Sequence, residues 1–301
     1  MELILERVLV GDPTPRAIDG VMDWWTHHQQ AAGGFSASID RAIAGGFAAD
    51  RLGYAFASGY TEALARLVPE LAGTRAALCA TEGGAAHPSA MRTTVTEGDR
   101  GLRLDGHKSF VTLGAFAEQL LVVATTGTDD QGRSRLCLVR IPADRTGVAL
   151  EDAPPAPFVP EIPHAAVRLT DVAVDERERL PGDGYDHYLK PFRTVEDLHV
   201  HGALVGWLLQ VGRRSGWDHA HLERLAVPLA AAGLLADGDP SRPEVHIALA
   251  GLIADTAALI EIAEWHLVDD ETRVRWERDR GLLQVAGKAR VARREAAWRR
   301  L

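Results

Sequence analysis

The spacing of apolar residues changes twice along the chain, and each change predicts a different kind of element. Residues 17–30 and 36–72 place large apolar side chains at three- and four-residue intervals among alanines, which is typical of helices. Pro69 and Gly73 mark the end of this helical part. The side chains that set the interval are Trp24, Trp25, Phe35, Phe47, Phe56, Tyr60, Leu64 and Leu67.

From Ala76 to about Val174 the apolar period becomes two, which indicates strands. Glycine, aspartate and proline residues separate the apolar runs, as expected of turns. The runs themselves are Leu102/Leu104, Leu120 to Ala124, Leu136 to Ile141 and Ala166 to Leu169. The middle of the chain is therefore predicted to be all-β.

After Leu180–Gly184 the helical period returns, and Pro181 and Gly182 close the β-region. The predicted helices are 188–214, 219–236, 243–270 and 272–300. This order predicts an α+β fold in three parts. They are an N-terminal helical domain over 1–74, a middle β-domain over 75–182 and a C-terminal helical bundle over 183–301.

The composition narrows the class of partner. A chain of 301 residues, 46% hydrophobic and 25% charged, is large enough to bury a cofactor. Its net charge of −9 argues against a nucleic-acid partner, because phosphate contacts need clustered Lys and Arg. No opening segment resembles a signal peptide, and no apolar run approaches the roughly 20 residues that cross a bilayer. We therefore expect a cytoplasmic protein without a membrane partner.

Cysteine and histidine spacing does not predict a metal site. Cys79 and Cys137 both fall in predicted strands, so we expect buried thiols. His199/His201 and His219/His221 are spaced i and i+2, whereas zinc-binding helices use i and i+4, so surface or capping histidines are expected. The glycine pairs Gly33–Gly34 and Gly45–Gly46 are expected to be helix caps or kinks.

Two motifs in the β-region resemble the middle domain of the acyl-CoA dehydrogenase family. Thr81–Pro88 (TEGGAAHP) is similar to the family's Thr-Glu-Pro-Gly-x-Gly-Ser-Asp, and Asp105–Gly114 (DGHKSFVTLG) is similar to Asn-Gly-x-Lys-x-Trp-Ile-Thr-x-Gly. Leu169–Asp175 (LTDVAVD) also resembles the family's Phe-x-Asp-Val-x-Val-Pro. The resemblance implies an acyl-CoA dehydrogenase-like fold of N-terminal helices, a middle β-barrel domain and a C-terminal helix bundle.

The resemblance also implies FAD as cofactor. Thr81 and Thr112 would offer hydroxyls to the polar edge of the isoalloxazine, and Phe110 would take the place of the aromatic that covers the ring. Fixed donors at that edge favour hydride acceptance. Each threonine alone is also compatible with a strand-end residue that only satisfies a turn.

Substrate and catalytic positions differ from the family pattern. The family's Gly-Ser-Asp is replaced by Ala86-His87-Pro88, which makes His87 a candidate substrate contact or a turn residue bonded to backbone. Glu196 and Asp197 are the carboxylates placed to act as the general base that removes an α-proton. The alternative for both is a solvated or salt-bridged helix face.

Other family elements are missing from the sequence. The final predicted helix resembles the family's Ala-x-x-Lys-x-x-Ala-x-x-Ala, but no Gln-x-x-Gly-Gly-x-Gly follows it up to Leu301, which is expected to weaken FAD binding. The stretch 225–233 (LAVPLAAAG) replaces the family's Arg-x-x-Phe-Gly. The arginines of the last helix are expected to form a solvated face, or a phosphate-binding patch; they are Arg290, Arg293, Arg294, Arg299 and Arg300.

Two functions follow as hypotheses. The first is an acyl-CoA dehydrogenase-like flavoprotein oxidoreductase acting on a CH–CH group of an acyl thioester, and the second is a degenerate non-catalytic homologue or partner subunit with weak or no FAD binding. A flavin monooxygenase on the same scaffold is a third alternative. The family also implies a homodimer or homotetramer, for which the stripe from Leu249 to Ile262 is suited, although it suits an internal core equally.

Overall fold

The computed structural model describes residues 2–84, 87–99, 101–153 and 156–301. The chain divides into two units, each with its own core. The sheet unit consists of residues 67–155 and 162–193, and the helical unit consists of 1–66, 156–161 and 194–301. The predicted α+β class is therefore confirmed. The division into three domains stays a prediction.

The helices follow the three- and four-residue apolar spacing, with different ends. The described α-helices are α1 (Glu2–Val10), α2 (Val21–Ala32), α3 (Ser38–Ala48), α4 (Leu52–Leu67), α5 (Lys190–Ser215), α6 (His219–Ala236), α7 (Pro243–Glu261), α8 (Asp270–Asp279) and α9 (Gly287–Trp298). The apolar spacing did not predict α1. The predicted helix 243–270 ends at Glu261, and the predicted helix 272–300 is divided by a 3₁₀ turn at Arg280–Gln284.

The helix-like stretch 36–72 contains two helices, because α3 and α4 are separated at Ala49–Arg51. Asp50 fixes the break: its carboxylate accepts hydrogen bonds from the Ile18 backbone N–H (3.2 Å) and from the Arg51 guanidinium (2.6 Å). These hydrogen bonds hold Asp50 in place between the two helices. No local helix breaker in the sequence marks this position, so the tertiary contacts decide it.

The sheet unit contains seven strands within the described residues, and their order departs from chain order. They are β1 (Ala76–Cys79), β2 (Thr94–Gly98), β3 (Gly101–Thr112), β4 (Gln119–Thr128), β5 (Ser134–Pro142), β6 (Val148–Asp152) and β7 (His164–Val174). The order is β1-β4-β2-β3-β7-β6, and β5 also pairs with β4. The sheet is mixed, because β1 runs parallel to β4 while β3 is antiparallel to β2 and β7.

The core of the sheet unit explains the period-two pattern. Leu102, Leu104 and Val111 on β3 point into one apolar cluster, and Val167 and Leu169 on β7 meet them there. Strand β4 is buried on both faces from residue 120 to 124, which is why its sequence is continuously apolar. Cys79 and Cys137 are free, buried thiols of the same cluster, as expected.

In the helical unit, α5 is the central element: every residue from 201 to 212 is buried. Two glycines allow α3 and α4 to approach it. A Cβ at Gly46 would lie 2.0 Å from the Ala203 carbonyl oxygen, and one at Gly59 would lie 2.5 Å from the Val200 Cα. Gly45–Gly46 lies inside α3 and does not cap it, so that part of the expectation is wrong, and Gly46 lies at the close crossing with α5.

Helix α7 requires a correction to the expectation about apolar runs. By length and composition alone it could cross a membrane, and 33% of its most apolar window is buried in the protein. The core helices of water-soluble proteins have the same length and composition. Within the helical unit α7 packs against α6 and α9, and Leu249, Leu252 and Ile260 are among its buried side chains.

Candidate functional site

The end of β1 lies against the second half of β3, and this contact brings the first predicted residues together. Thr81 and Phe110 form an antiparallel bridge, and the Ser109 backbone N–H donates to the Thr81 carbonyl oxygen at 2.9 Å. Directly opposed residues of an antiparallel pair present their side chains on the same face. Thr81 therefore shares a face of the sheet with Phe110.

Thr112 lies on that same face. Side chains alternate along β3, and Val111 is fully buried while Phe110 is 40% exposed and Thr112 is half-buried. Thr112 is the last residue of the strand, and Leu113 next to it has a left-handed φ of 57°. A buried leucine in this conformation is unusual, and such backbone strain is concentrated at functional sites.

A fourth residue, His164, completes this face and was not predicted. It pairs directly with Thr112 across β3 and β7, and its imidazole stacks on the Phe110 ring with centroids 4.3 Å apart and planes at 27°. Burial lowers the pKa of His164 below its ordinary value. The sequence could not show the pairing, because the β3–β7 ladder shifts register between Lys108 and Val111.

A buried ion pair fixes the two motifs against each other. Lys108 is 0% exposed, and its Nζ donates to Glu82 Oε1 and to the Val123 carbonyl oxygen, both at 2.6 Å. The Glu82 carboxylate also accepts the backbone N–H groups of Arg92 (2.6 Å) and Thr93 (3.2 Å). Glu82 follows Thr81 in the chain, and Lys108 lies two residues before Phe110. The Glu82–Lys108 ion pair therefore positions Thr81 and Phe110.

The pKa values of this pair follow from its burial. Burial opposes the charged form of Glu82, but the hydrogen bond and positive charge of Lys108 outweigh it and lower the pKa of the carboxyl. Burial also lowers the pKa of the Lys108 ammonium, and Glu82 opposes that shift. The pairing therefore accounts for the lowered pKa of Glu82, and burial accounts for the lowered pKa of Lys108.

His87 lies in an exposed turn of the sheet unit. Its Nδ1 is 2.8 Å from Ser89 Oγ and accepts the Ser89 backbone N–H at 3.3 Å, so the ring caps the 3₁₀ turn Pro88–Ala90. The backbone of His87 is extended, as Pro88 requires. This is the turn geometry that the sequence left open as the alternative, and Ala86 before it lies outside the described residues.

The two candidate bases on α5 have different surroundings. Asp197 is 5% exposed and both of its oxygens are engaged: Oδ1 accepts two bonds from Arg290, at 2.8 and 2.9 Å, and Oδ2 accepts one from Arg293. Glu196 is half-buried. The salt-bridged alternative therefore describes the geometry of Asp197.

The same contacts correct the expectation for the last helix. Arg290 and Arg293 do not form a solvated face, because they join α9 to α5 through Asp197. Arg290 also donates to the Leu283 carbonyl oxygen at 2.8 Å. Arg294, Arg299 and Arg300 are exposed, as expected.

The α5 histidines are buried, which makes the surface or capping expectation wrong for them. His199 bonds Ser38 Oγ and the Val195 carbonyl oxygen, both at 2.8 Å, and His201 bonds Thr256 Oγ1 at 2.8 Å. Burial lowers the pKa of His199 to about 4 and that of His201 to about 3. Across the described ranges, no group of three or more His, Cys, Asp and Glu side chains is placed to hold a metal ion.

The residues of the sheet unit fit a flat, polar-edged ring such as that of FAD. Thr81, Phe110, Thr112 and His164 lie on one face, which we call the threonine face. It offers an exposed aromatic ring, two hydroxyls and the His164 Nδ1 atom, which is buried and has no hydrogen-bond partner. Buried polar atoms are normally bonded, so this one marks a place for a polar ligand atom.

Comparisons with known proteins identify the fold. No protein-family model and no curated protein matches the sequence. Among solved structures, butyryl-CoA dehydrogenase from Megasphaera elsdenii is 15% identical, with a TM-score of 0.70 over 93% of this chain and 90% of that one. An FAD-dependent dehydrogenase is 17% identical, with a TM-score of 0.70 over 99% and 96%. The prolyl acyl carrier protein oxidase AnaB is 16% identical, with a TM-score of 0.64 over 89% and 86%.

These identities are low, and the likeness extends over most of the chain in each case. The resemblance that the two β-region motifs indicate is therefore confirmed at the level of the fold. The chain has the acyl-CoA dehydrogenase fold.

Proposed function

We propose that the protein is an FAD-dependent, acyl-CoA dehydrogenase-like oxidoreductase that acts on a CH–CH group of an acyl thioester. The observation that supports it is the threonine face, where Thr81, Phe110 and Thr112 come together from two strands. Bound FAD would supply the hydride acceptor. The protein would supply hydroxyl donors at the polar edge, the Phe110 ring as a covering surface and a site shielded from water.

Thr112→Val is expected to weaken FAD binding by about 1–2 kcal/mol, because it replaces a hydroxyl with a methyl of similar size. Equilibrium titration of the apoprotein with FAD measures the change. Thr126→Val is a matched control, since Thr126 lies at an exposed end of β4, where its hydroxyl donates to the Arg135 carbonyl oxygen at 3.4 Å. Equal FAD affinity in wild type and Thr112→Val would exclude this contact.

We assign the general base to Glu196, with Asp197 as the second candidate. Removal of an α-proton needs a carboxylate, and Glu196 and Asp197 are adjacent carboxylates on α5; both oxygens of Asp197 bond guanidinium groups. Glu196→Gln is expected to abolish reduction of bound flavin by substrate while FAD affinity is retained. Rapid mixing with substrate under anaerobic conditions measures the rate, and unchanged kinetics would dismiss the assignment.

One observation favours a second candidate, a degenerate partner subunit that is not catalytic. The double salt bridge of Asp197 gives this carboxylate a structural role, and residues 225–233 depart from the family's Arg-x-x-Phe-Gly element. Bleaching of the yellow colour by an acyl thioester under anaerobic conditions supports the enzyme. A colourless protein that does not turn yellow when FAD is added supports the second candidate.

The substrate and assembly follow from the same proposal. We infer an acyl thioester substrate, carried by CoA or by an acyl carrier protein as in the name of AnaB, with His87 as a substrate contact. We also infer a cytoplasmic homodimer or homotetramer. Exposed apolar side chains of the helical unit suit such an assembly; they include Val227 (66%), Leu234 (77%), Ile262 (58%) and Trp298 (59%).

A further inference from the structure

His164 combines three features that a structural residue of a sheet does not need. It begins β7, where the sequence resemblance assigns no role. Its ring stacks on that of Phe110, with 4.3 Å between centroids. Its Nδ1 is buried without a hydrogen-bond partner, although Thr112, its strand partner on β3, carries a hydroxyl.

The unpartnered His164 Nδ1 atom lowers the stability of the protein when no ligand is bound. A buried polar atom without a partner loses its bonds to water and gains none in return. Phenylalanine could fill the same stacking position without that loss. A histidine is therefore best explained by a bond that forms when a ligand covers the face.

We propose that His164 is a fourth cofactor-contacting residue, whose Nδ1 forms a hydrogen bond with the polar edge of the bound isoalloxazine. This inference rests on the proposed function, and it adds a residue that the resemblance does not supply. The imidazole is neutral near pH 7, because burial lowers its pKa. A neutral ring offers one N–H donor and one acceptor nitrogen, and the flavin edge presents both kinds of partner.

The test is His164→Phe, which keeps a ring against Phe110 and removes both nitrogens. We expect FAD affinity to fall about 5- to 15-fold, the equivalent of one lost hydrogen bond. We expect the melting temperature of the apoprotein to stay equal or rise, because the unpartnered nitrogen is gone. A residue with only a structural role would give the opposite pair of results, a lower melting temperature and unchanged affinity.

Two further variants sharpen the test. His164→Gln restores a donor and an acceptor and is expected to recover part of the lost affinity. His107→Phe is the matched control, because His107 is an exposed histidine on β3 that pairs with Arg168, four residues along β7 from His164, and the FAD affinity of this variant should equal that of the wild type.

The outcomes separate this inference from the proposed function. If the wild type and the His164→Phe variant bind FAD with equal affinity, the role of His164 is overturned and the flavoprotein proposal remains intact. Wild type that does not bind FAD overturns both. A five-fold or greater loss in His164→Phe, with a folded apoprotein, supports both.

Discussion

Lys108→Met is expected to lower the free energy of unfolding by about 3–5 kcal/mol. The substitution keeps the aliphatic stem but leaves the Glu82 carboxylate, 8% exposed, without its cation. A buried charge that loses its partner costs far more than the pair contributes when intact. Chemical denaturation with two spectroscopic probes measures the change.

Two comparisons isolate the effect of Lys108. Lys190→Met removes an exposed ion pair with Asp186, at 3.3 Å, and is expected to change stability by less than about 0.5 kcal/mol. The double variant Glu82→Gln/Lys108→Met removes the stranded charge and is expected to recover part of the loss. A Lys108→Met protein as stable as Lys190→Met would contradict the buried pair.

The second large effect is expected at a helix crossing of the helical unit. Gly46→Ala should lower the free energy of unfolding by about 3 kcal/mol. The new methyl would lie 2.0 Å from the Ala203 carbonyl oxygen, and both groups belong to helix backbones that cannot move independently. Thermal and chemical denaturation of the full chain give the size of the loss.

Gly251→Ala is the matched control, because it makes the same change in an exposed helix position. No heavy atom lies within 4 Å of a Cβ built at Gly251 in α7. Alanine is the better helix former there, and we expect a gain of about 0.5–1 kcal/mol. Equal stability changes at the two glycines would mean that α3 and α5 do not approach as described.

The sequence predicted those parts of the site that lie close together along the chain. The motif resemblance selected Thr81, Phe110 and Thr112, which the structure places on one face of the sheet, because each motif keeps its spacing within one or two strands. The alternating apolar pattern predicted β3 and β7 because their inner faces meet one core. Local patterns therefore predicted the strands and the hydroxyls at their ends.

The parts that the sequence did not predict depend on long-range contacts. Asp197 is buried by arginines more than 90 positions away, at 290 and 293. His164 meets Thr112 through a ladder whose register shifts, so counting residues along β7 could not place it. The i and i+2 spacing of His199 and His201 excluded a metal pair but contained no information about burial.

The proposed function depends on the binding of a flavin to the threonine face of the sheet unit. Titration of the purified wild-type apoprotein with FAD, followed by flavin fluorescence and visible absorption, tests it most directly. We expect saturable binding with a perturbed flavin spectrum, and weaker binding by Thr112→Val but not by Thr126→Val. A wild-type protein that leaves the FAD spectrum and fluorescence unchanged at every concentration would contradict it.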